Sequence, residues 1–320
     1  MRLQRITILI FAGVLFHSFA ASQEKENSCN TAFDFTGEYA EAHSINICAD
    51  SENIPFRYEA EINMPVCDDT LCANVVLQIH WDLAGNYLNF DTLPDFPLTK
   101  FDHIKFTSAD YLKLDQIMKN RNSMLRILNK EDLIDKSVKI KSKTVDAVTG
   151  ATPQTIKKSV VEGAVYTTYS LWHFINGAIK NKIANHTLDI YSEQISRKML
   201  LSDNYETQLF ALRKWSDKDY EINSDLLFQV MRQSAPLIKA NAIMKTPLPF
   251  DNFEKNKRFL ALFPILDDYS KSIFMNRIIT EKEVATVFLP LITSNSKGFS
   301  KKQLEQITNA CKKFEIERID

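Results

Sequence analysis

Glycine is scarce in this chain, with seven residues among 320. Between residues 188 and 314 the single glycine is Gly298, and no segment there alternates apolar and polar residues. Such a stretch is typical of packed helices. A basic excess is missing too, because 39 lysines and arginines face 40 acidic residues, for a net charge of −1. This balance argues against nucleic acid as the main partner.

Familiar catalytic and metal-binding motifs are also missing. The sequence has no Gly-x-Ser-x-Gly elbow, no glycine-rich phosphate loop and no His-Glu-x-x-His pair. His80, His103, His173 and His186 are scattered, and no set of cysteines and histidines has the spacing of zinc ligands. The sequence therefore predicts neither a metal site nor a familiar hydrolytic centre.

The first 22 residues have the pattern of a signal peptide. A basic start at residues 1–5 precedes an apolar run over residues 6–19, and small residues follow at Ala20 and Ser22. The run is shorter than the roughly 20 apolar residues of a membrane span. We expect cleavage after Ala20 or Ser22 and export to the periplasm or another extracytoplasmic compartment. An uncleaved anchor is the alternative.

Five cysteines in an exported chain predict disulfides. Cys67 and Cys72 are close enough in sequence to bridge across a turn. Cys29 and Cys48 can form a second bridge. Cys311, in a predicted helix, is then left as a buried thiol.

The first half of the chain mixes strand and helix patterns. Residues 58–62 and 75–81 read as strands, and a turn leads to a return strand at 87–90. Thr107 followed by Asp110 predicts a capped helix start. These patterns predict a small antiparallel sheet accompanied by helices.

A short stretch around Gly150 reads as strand, turn and helix. Lysines alternate with small or apolar residues over residues 137–145, and Gly150 supplies the freedom for a sharp turn. Thr152 stands at an N-cap position with Pro153 after it, and a helix is predicted over residues 154–177. The unpaired N–H groups and the dipole of that helix favour an anion at the Thr152 hydroxyl.

The same stretch reads Asp-x-x-Thr-Gly-Ala-Thr, which resembles the flavinylation motif of the FMN-binding domain family. That domain occurs in flavin subunits of the sodium-translocating NADH:quinone reductase and of Rnf complexes. The resemblance implies that Thr152 carries FMN through a phosphoester installed by a flavin transferase. Asp146, Thr149, Gly150 and Ala151 match the rest of the motif. An ordinary capped turn is the alternative.

This resemblance implies an extracytoplasmic electron carrier or redox subunit rather than a stand-alone enzyme. Its electrons would pass to or from a membrane or periplasmic redox partner. The resemblance also implies an FMN-binding-like fold for the first half of the chain. The sequence thus divides into a signal peptide (1–22), an α+β domain (23–180) and an all-α domain (185–320), with the boundary at residues 178–187.

The second half of the chain is predicted to be a HEAT-like helical array or a compact bundle. Either form can bind a protein partner, so a helical scaffold without a cofactor is an alternative function. A third candidate function is thiol–disulfide exchange, because the Cys67–Cys72 pair resembles the redox cysteines of membrane thiol:disulfide interchange reductases.

Amphipathic runs in the second half predict helices at residues 188–200, 205–215, 224–231, 259–274, 281–291 and 301–314.

Overall fold

A computed structural model describes residues 28–66, 73–100, 103–133, 154–294 and 296–316. A five-stranded antiparallel sheet comes first in the chain, and a long region of helices follows it. This layout confirms the predicted order of an α+β part followed by an all-α part.

The sheet is a meander in which each strand pairs with the next along the chain. The strands predicted at residues 58–62, 75–81 and 87–90 are confirmed, and two more precede them. The strands are β1 (Ser28–Thr36), β2 (Ala42–Ala49), β3 (Pro55–Met64), β4 (Val75–Trp81) and β5 (Tyr87–Thr92).

One face of the sheet is buried because the residues of β3 alternate. Tyr58, Ala60 and Ile62 are buried, whereas Glu59 and Glu61 between them lie on the other face. A period of two sends successive side chains to opposite faces, so the apolar set fixes which face meets the core.

Helix α1 (Ser108–Lys119) begins as the sequence predicts. The Thr107 hydroxyl accepts a hydrogen bond from the Asp110 backbone N–H (3.3 Å), and the Asp110 carboxylate accepts one from the Thr107 N–H (2.8 Å). This reciprocal pair satisfies two N–H groups that the helix leaves open. Two 3₁₀ turns follow, Met124–Ile127 and Lys130–Leu133.

The single helix predicted over residues 154–177 is wrong. A one-turn helix α2 (Gln154–Lys157) is separated from α3 (Val165–Asn176) by a segment in which Gly163 has a φ of +76°. The Thr168 hydroxyl holds that segment, accepting from the Val161 N–H (3.1 Å) and donating to the Ala164 carbonyl (2.7 Å). A single turn carries little dipole, so the expected dipole support for an anion at Thr152 is lost.

Short amphipathic helices make up the rest of the chain. The predicted helix at 188–200 is interrupted, because Ser192 caps a new helix there, and the one at 259–274 is interrupted where Asp267 does the same. The helices are α4 (Ala178–Asp189), α5 (Glu193–Leu200), α6 (Tyr205–Lys214), α7 (Asp217–Ile222), α8 (Ser224–Gln233), α9 (Pro236–Lys245), α10 (Phe253–Leu260), α11 (Asp268–Thr280), α12 (Lys282–Ser294) and α13 (Lys301–Phe314).

Helices α3 and α4 cover the buried face of the sheet. The indole N–H of Trp81 donates to the Ile175 carbonyl (3.2 Å), and the Tyr58 hydroxyl lies 2.8 Å from His186 Nδ1 and 3.0 Å from Thr187 Oγ1. The buried apolar residues of sheet and helices form one continuous cluster. The domain division near residue 180 falls within α4 and stays a prediction.

Within the described ranges, no helix is both long enough and apolar enough to cross a membrane.

Candidate functional site

The predicted flavin site lies outside the described residues. The motif lies between Leu133 and Gln154, which are consecutive described residues. Its residues are Asp146, Thr149, Gly150, Ala151 and Thr152. The roles assigned to them stay predictions.

The two predicted cysteine pairs have different outcomes. Cys67 and Cys72 also lie outside the described residues, so their bridge and their redox role stay predictions. Cys29 and Cys48 face each other on β1 and β2 and form a disulfide. Cys311 is a free, buried thiol on α13, as predicted.

The chain that leaves the flavin motif is anchored in the core. Ile156 on α2 is buried, and the ammonium of Lys113 on α1 donates to the Lys157 carbonyl (3.4 Å). Leu133, the last described residue before the motif, is fully buried. The segment that contains the motif therefore starts and ends at fixed points of the first half of the molecule.

Two aromatic side chains of α3 face the protein interior. The Tyr169 hydroxyl donates to the Leu128 carbonyl (3.1 Å), and the Trp172 indole donates to the Asn120 carbonyl (3.0 Å). Both side chains are buried. These two hydrogen bonds hold α3 against the segment that follows α1, so the polar atoms of both side chains serve the packing of the fold.

A cleft of about 310 Å³ opens at the carboxyl-terminal end of α3. Its walls come from the chain after α1, the end of α3, the start of α4 and the first turn of α6. The lining residues are Arg121, Asn122, Arg126, Trp172, His173, Asn176, Gly177 and Glu206.

The turn between β4 and β5 contacts three of the segments around the cleft, through Arg121, Lys180 and Thr207. Gly85 in that turn has a φ of +75°, and a Cβ placed on it would stand 2.5 Å from the Lys180 carbonyl oxygen. Only glycine combines this backbone conformation with so close an approach of α4.

Asp82 begins the turn and joins it to the helical region. It is 6% exposed, and its Oδ1 accepts from the N–H groups of Ala84 and Asn86 (both 2.9 Å). Its Oδ2 accepts from the Asn86 amide (3.0 Å), from the Asn204 amide (3.4 Å) and from the Thr207 hydroxyl. A buried carboxylate needs such a set of donors, which here come from the hairpin and from α6 with its cap.

Two cations share one amide oxygen beside the cleft. Asn86 Oδ1 accepts from Arg121 (3.0 Å) and from Lys180 (2.7 Å). Glu206 pairs with Arg121 and lies 3.7 Å from the Lys180 ammonium. Burial, and then the neighbouring charge of Arg121, lower the pKa of Lys180 to about 8, while Asp82 opposes that shift.

Burial disfavours the charged form of His173 on the cleft wall. Burial lowers its pKa below the ordinary 6.5, and the contact of its Nε2 with the Leu125 carbonyl (3.0 Å) offsets only part of that shift. The imidazole therefore adds little positive charge to the cleft near neutral pH.

A row of ionisable side chains crosses the outer face of the sheet. Glu59 pairs with Arg57 (2.9 Å) and lies 3.5 Å from His80, whose Nε2 contacts Asp91 (2.8 Å). Glu59 also lies within 4.8 Å of the sulfurs of the Cys29–Cys48 bridge. Because those sulfurs are bonded to each other, this trio offers a metal ion only the carboxylate.

No family model matches the chain, and no curated protein or solved structure is significantly similar to it.

The sequence did not predict the cleft. Arg121, Lys180 and Glu206 stand far apart in the chain and belong to no motif. The one local signal is the predicted turn before the strand at residues 87–90, whose contacts with Arg121, Lys180 and Thr207 follow from no local pattern.

Proposed function

We propose that the protein is an exported electron-transfer flavoprotein that carries FMN covalently on Thr152. The observation that carries this proposal is the spacing of Asp146, Thr149, Gly150, Ala151 and Thr152, which resembles a flavinylation motif. The anchored residues on either side of the motif support it, since a flavin attached there would be tied to a fixed part of the molecule.

The attachment makes one bond and breaks one. The Thr152 hydroxyl oxygen forms a bond to the phosphorus of an activated flavin nucleotide, and the bond from that phosphorus to the oxygen of the leaving group breaks. The leaving oxygen takes the electron pair of the broken bond, and the proton of the Thr152 hydroxyl passes to the leaving group. A flavin transferase supplies that nucleotide. The exposed side chains of Lys157 and Lys158 follow the acceptor closely and complement the phosphate charge. The isoalloxazine ring then exchanges electrons, and the protein holds and orients it.

The disulfide between Cys29 and Cys48 supports the proposed compartment. Disulfides persist mainly in oxidising environments such as the bacterial periplasm. Covalent attachment has a physical purpose there, because a dissociated cofactor is not readily replaced outside the cytoplasm. The electron donor and acceptor would be membrane or periplasmic redox partners.

Co-expression with a flavin transferase tests the proposal. The wild-type band in a denaturing gel should fluoresce under ultraviolet light, and the Thr152→Ala band should not. Ser159→Ala, which removes a hydroxyl seven residues away and outside the motif, is the matched control and should keep the fluorescence. A dark wild-type band beside a fluorescent control substrate of the same transferase would refute the proposal.

A helical scaffold is the second candidate, because several large apolar side chains of the helical half face solvent. Ile222 is 62% exposed and Phe253 is 55% exposed. The same is true, to a similar degree, of Leu237, Ile265 and Tyr269. Exposed apolar residues contact a protein partner where they form a contiguous patch. A chain without flavin in the co-expression experiment would favour this second function.

A further inference from the structure

We propose that the cleft beside α3 binds a small oxyanion, either a carboxylate or a phosphate compound. This inference is independent of the flavin proposal, because it rests on residues of the described cleft alone. The volume of the cleft, about 310 Å³, lies at the lower end of the roughly 300–1,000 Å³ range of ligand pockets.

The residues that line the cleft carry one more positive charge than negative charge. Arg121 and Arg126 are positive, and Glu206 is the acidic residue of the lining. Behind the lining, Lys180 lies 3.7 Å from Glu206 and is opposed by the charge of the buried Asp82. The carboxylate of Glu38 acts on His173 from outside the lining. The surplus charge of the lining is therefore one guanidinium.

Arg126 is the cation that is open to a ligand. It lines the cleft and is exposed, and its guanidinium forms no hydrogen bond or ion pair with the residues that the structure describes. A guanidinium presents a planar set of donors that matches two oxygens of a carboxylate or phosphate. Arg121, held by Asn86 and Glu206, provides a second guanidinium on the same cleft.

The backbone at Gly177 adds no clear net field to the cleft. Gly177 ends α3 and precedes α4, so the negative end of one helix dipole and the positive end of the other lie side by side there. An oxyanion in the cleft therefore meets positive potential from the two guanidinium groups.

Isothermal titration calorimetry of the mature protein at pH 7 and low ionic strength tests the proposal. Citrate probes carboxylate chemistry, pyrophosphate probes phosphate chemistry, and neutral glycerol is the blank. We expect saturable binding of at least one of the two anions, and the tighter of them identifies the class. Raising the salt concentration should weaken the binding.

Two substitutions with opposite effects make the test specific. Arg126→Gln should weaken binding by about tenfold or more, because a charge-assisted contact is lost, whereas Glu206→Gln should tighten it by removing the competing carboxylate. Arg232→Gln on α8, outside the cleft lining, removes the same charge from an exposed site and should change nothing. Circular dichroism confirms that each variant is folded. No heat with either anion, or equal binding by the Arg126 and Arg232 variants, would overturn the proposal.

Discussion

At the scale of single residues, the Asp82 carboxylate accepts more hydrogen bonds than any other side chain described around the cleft. Its carboxylate accepts hydrogen bonds from the hairpin turn and from side chains at the start of α6. Removing it leaves several buried donors without an acceptor, and such groups are costly. The hairpin and the helical region are therefore connected through one buried group.

Asp82→Ala should lower the free energy of unfolding by about 2–3 kcal/mol. Urea denaturation followed by circular dichroism measures this. Thr207→Val removes one of the donors and keeps the carboxylate, so it should cost only about 1 kcal/mol. Equal stabilities of the wild type and the Asp82 variant would contradict the assigned role.

Lys180 should make stability depend on pH in the alkaline range. Its pKa is about 8 in the folded protein, against 10.5 for an ordinary lysine, and the charged groups that face it are Arg121, Glu206 and Asp82. Between these pKa values the unfolded chain keeps a proton that the folded chain has released. The free energy of unfolding should therefore rise as the pH increases from about 8 to 10.

Lys180→Met removes this titration. Urea denaturation at several pH values should show the wild type gaining stability relative to the variant over that interval. If the free energies of unfolding of the two proteins differ by a constant amount from pH 7 to 10, the fold does not lower the pKa of Lys180.

At the scale of elements, the sequence predicted those structures that follow from local patterns. The alternation in β3 and the Thr107–Asp110 cap were both correct, because each depends on side chains a few residues apart. The break between α2 and α3 was missed, since it depends on Gly163 and on Thr168 reaching back to residues 161 and 164. The cleft was missed for the same reason at longer range, because its walls come from four separate segments.

The turn between β4 and β5 should tolerate no side chain at Gly85. Gly85→Ala places a Cβ on a left-handed backbone and against the Lys180 carbonyl, so it should destabilise the fold by about 2–3 kcal/mol. Thermal denaturation compares it with Gly37→Ala, where a Cβ meets only the flexible Glu41 side chain. Similar losses in the two variants would contradict a special role for the turn.

At the scale of the whole molecule, the helical region does not stand apart from the sheet. Ile179, Ile183 and Thr187 of α4 are buried, and Thr187 and His186 contact the hydroxyl of Tyr58. The boundary that the sequence placed at residues 178–187 coincides with this helix. A separate fold for each half therefore requires these contacts to be dispensable.

Limited proteolysis decides whether the molecule divides there. From the burial of α4 we expect residues 178–187 to resist cleavage for as long as the sheet stays folded. Mass spectrometry of the early fragments locates the cuts. Two stable fragments that meet within this range would instead support the predicted division into domains.

Peptide mapping by mass spectrometry tests the proposed covalent flavin most directly. The protein is isolated after co-expression with a flavin transferase and digested with trypsin, which releases residues 144–157 as one peptide. We predict that this peptide carries the mass of FMN less one water and that fragmentation assigns it to Thr152. An unmodified peptide, from a culture in which the transferase flavinylates a control protein, would contradict the proposal.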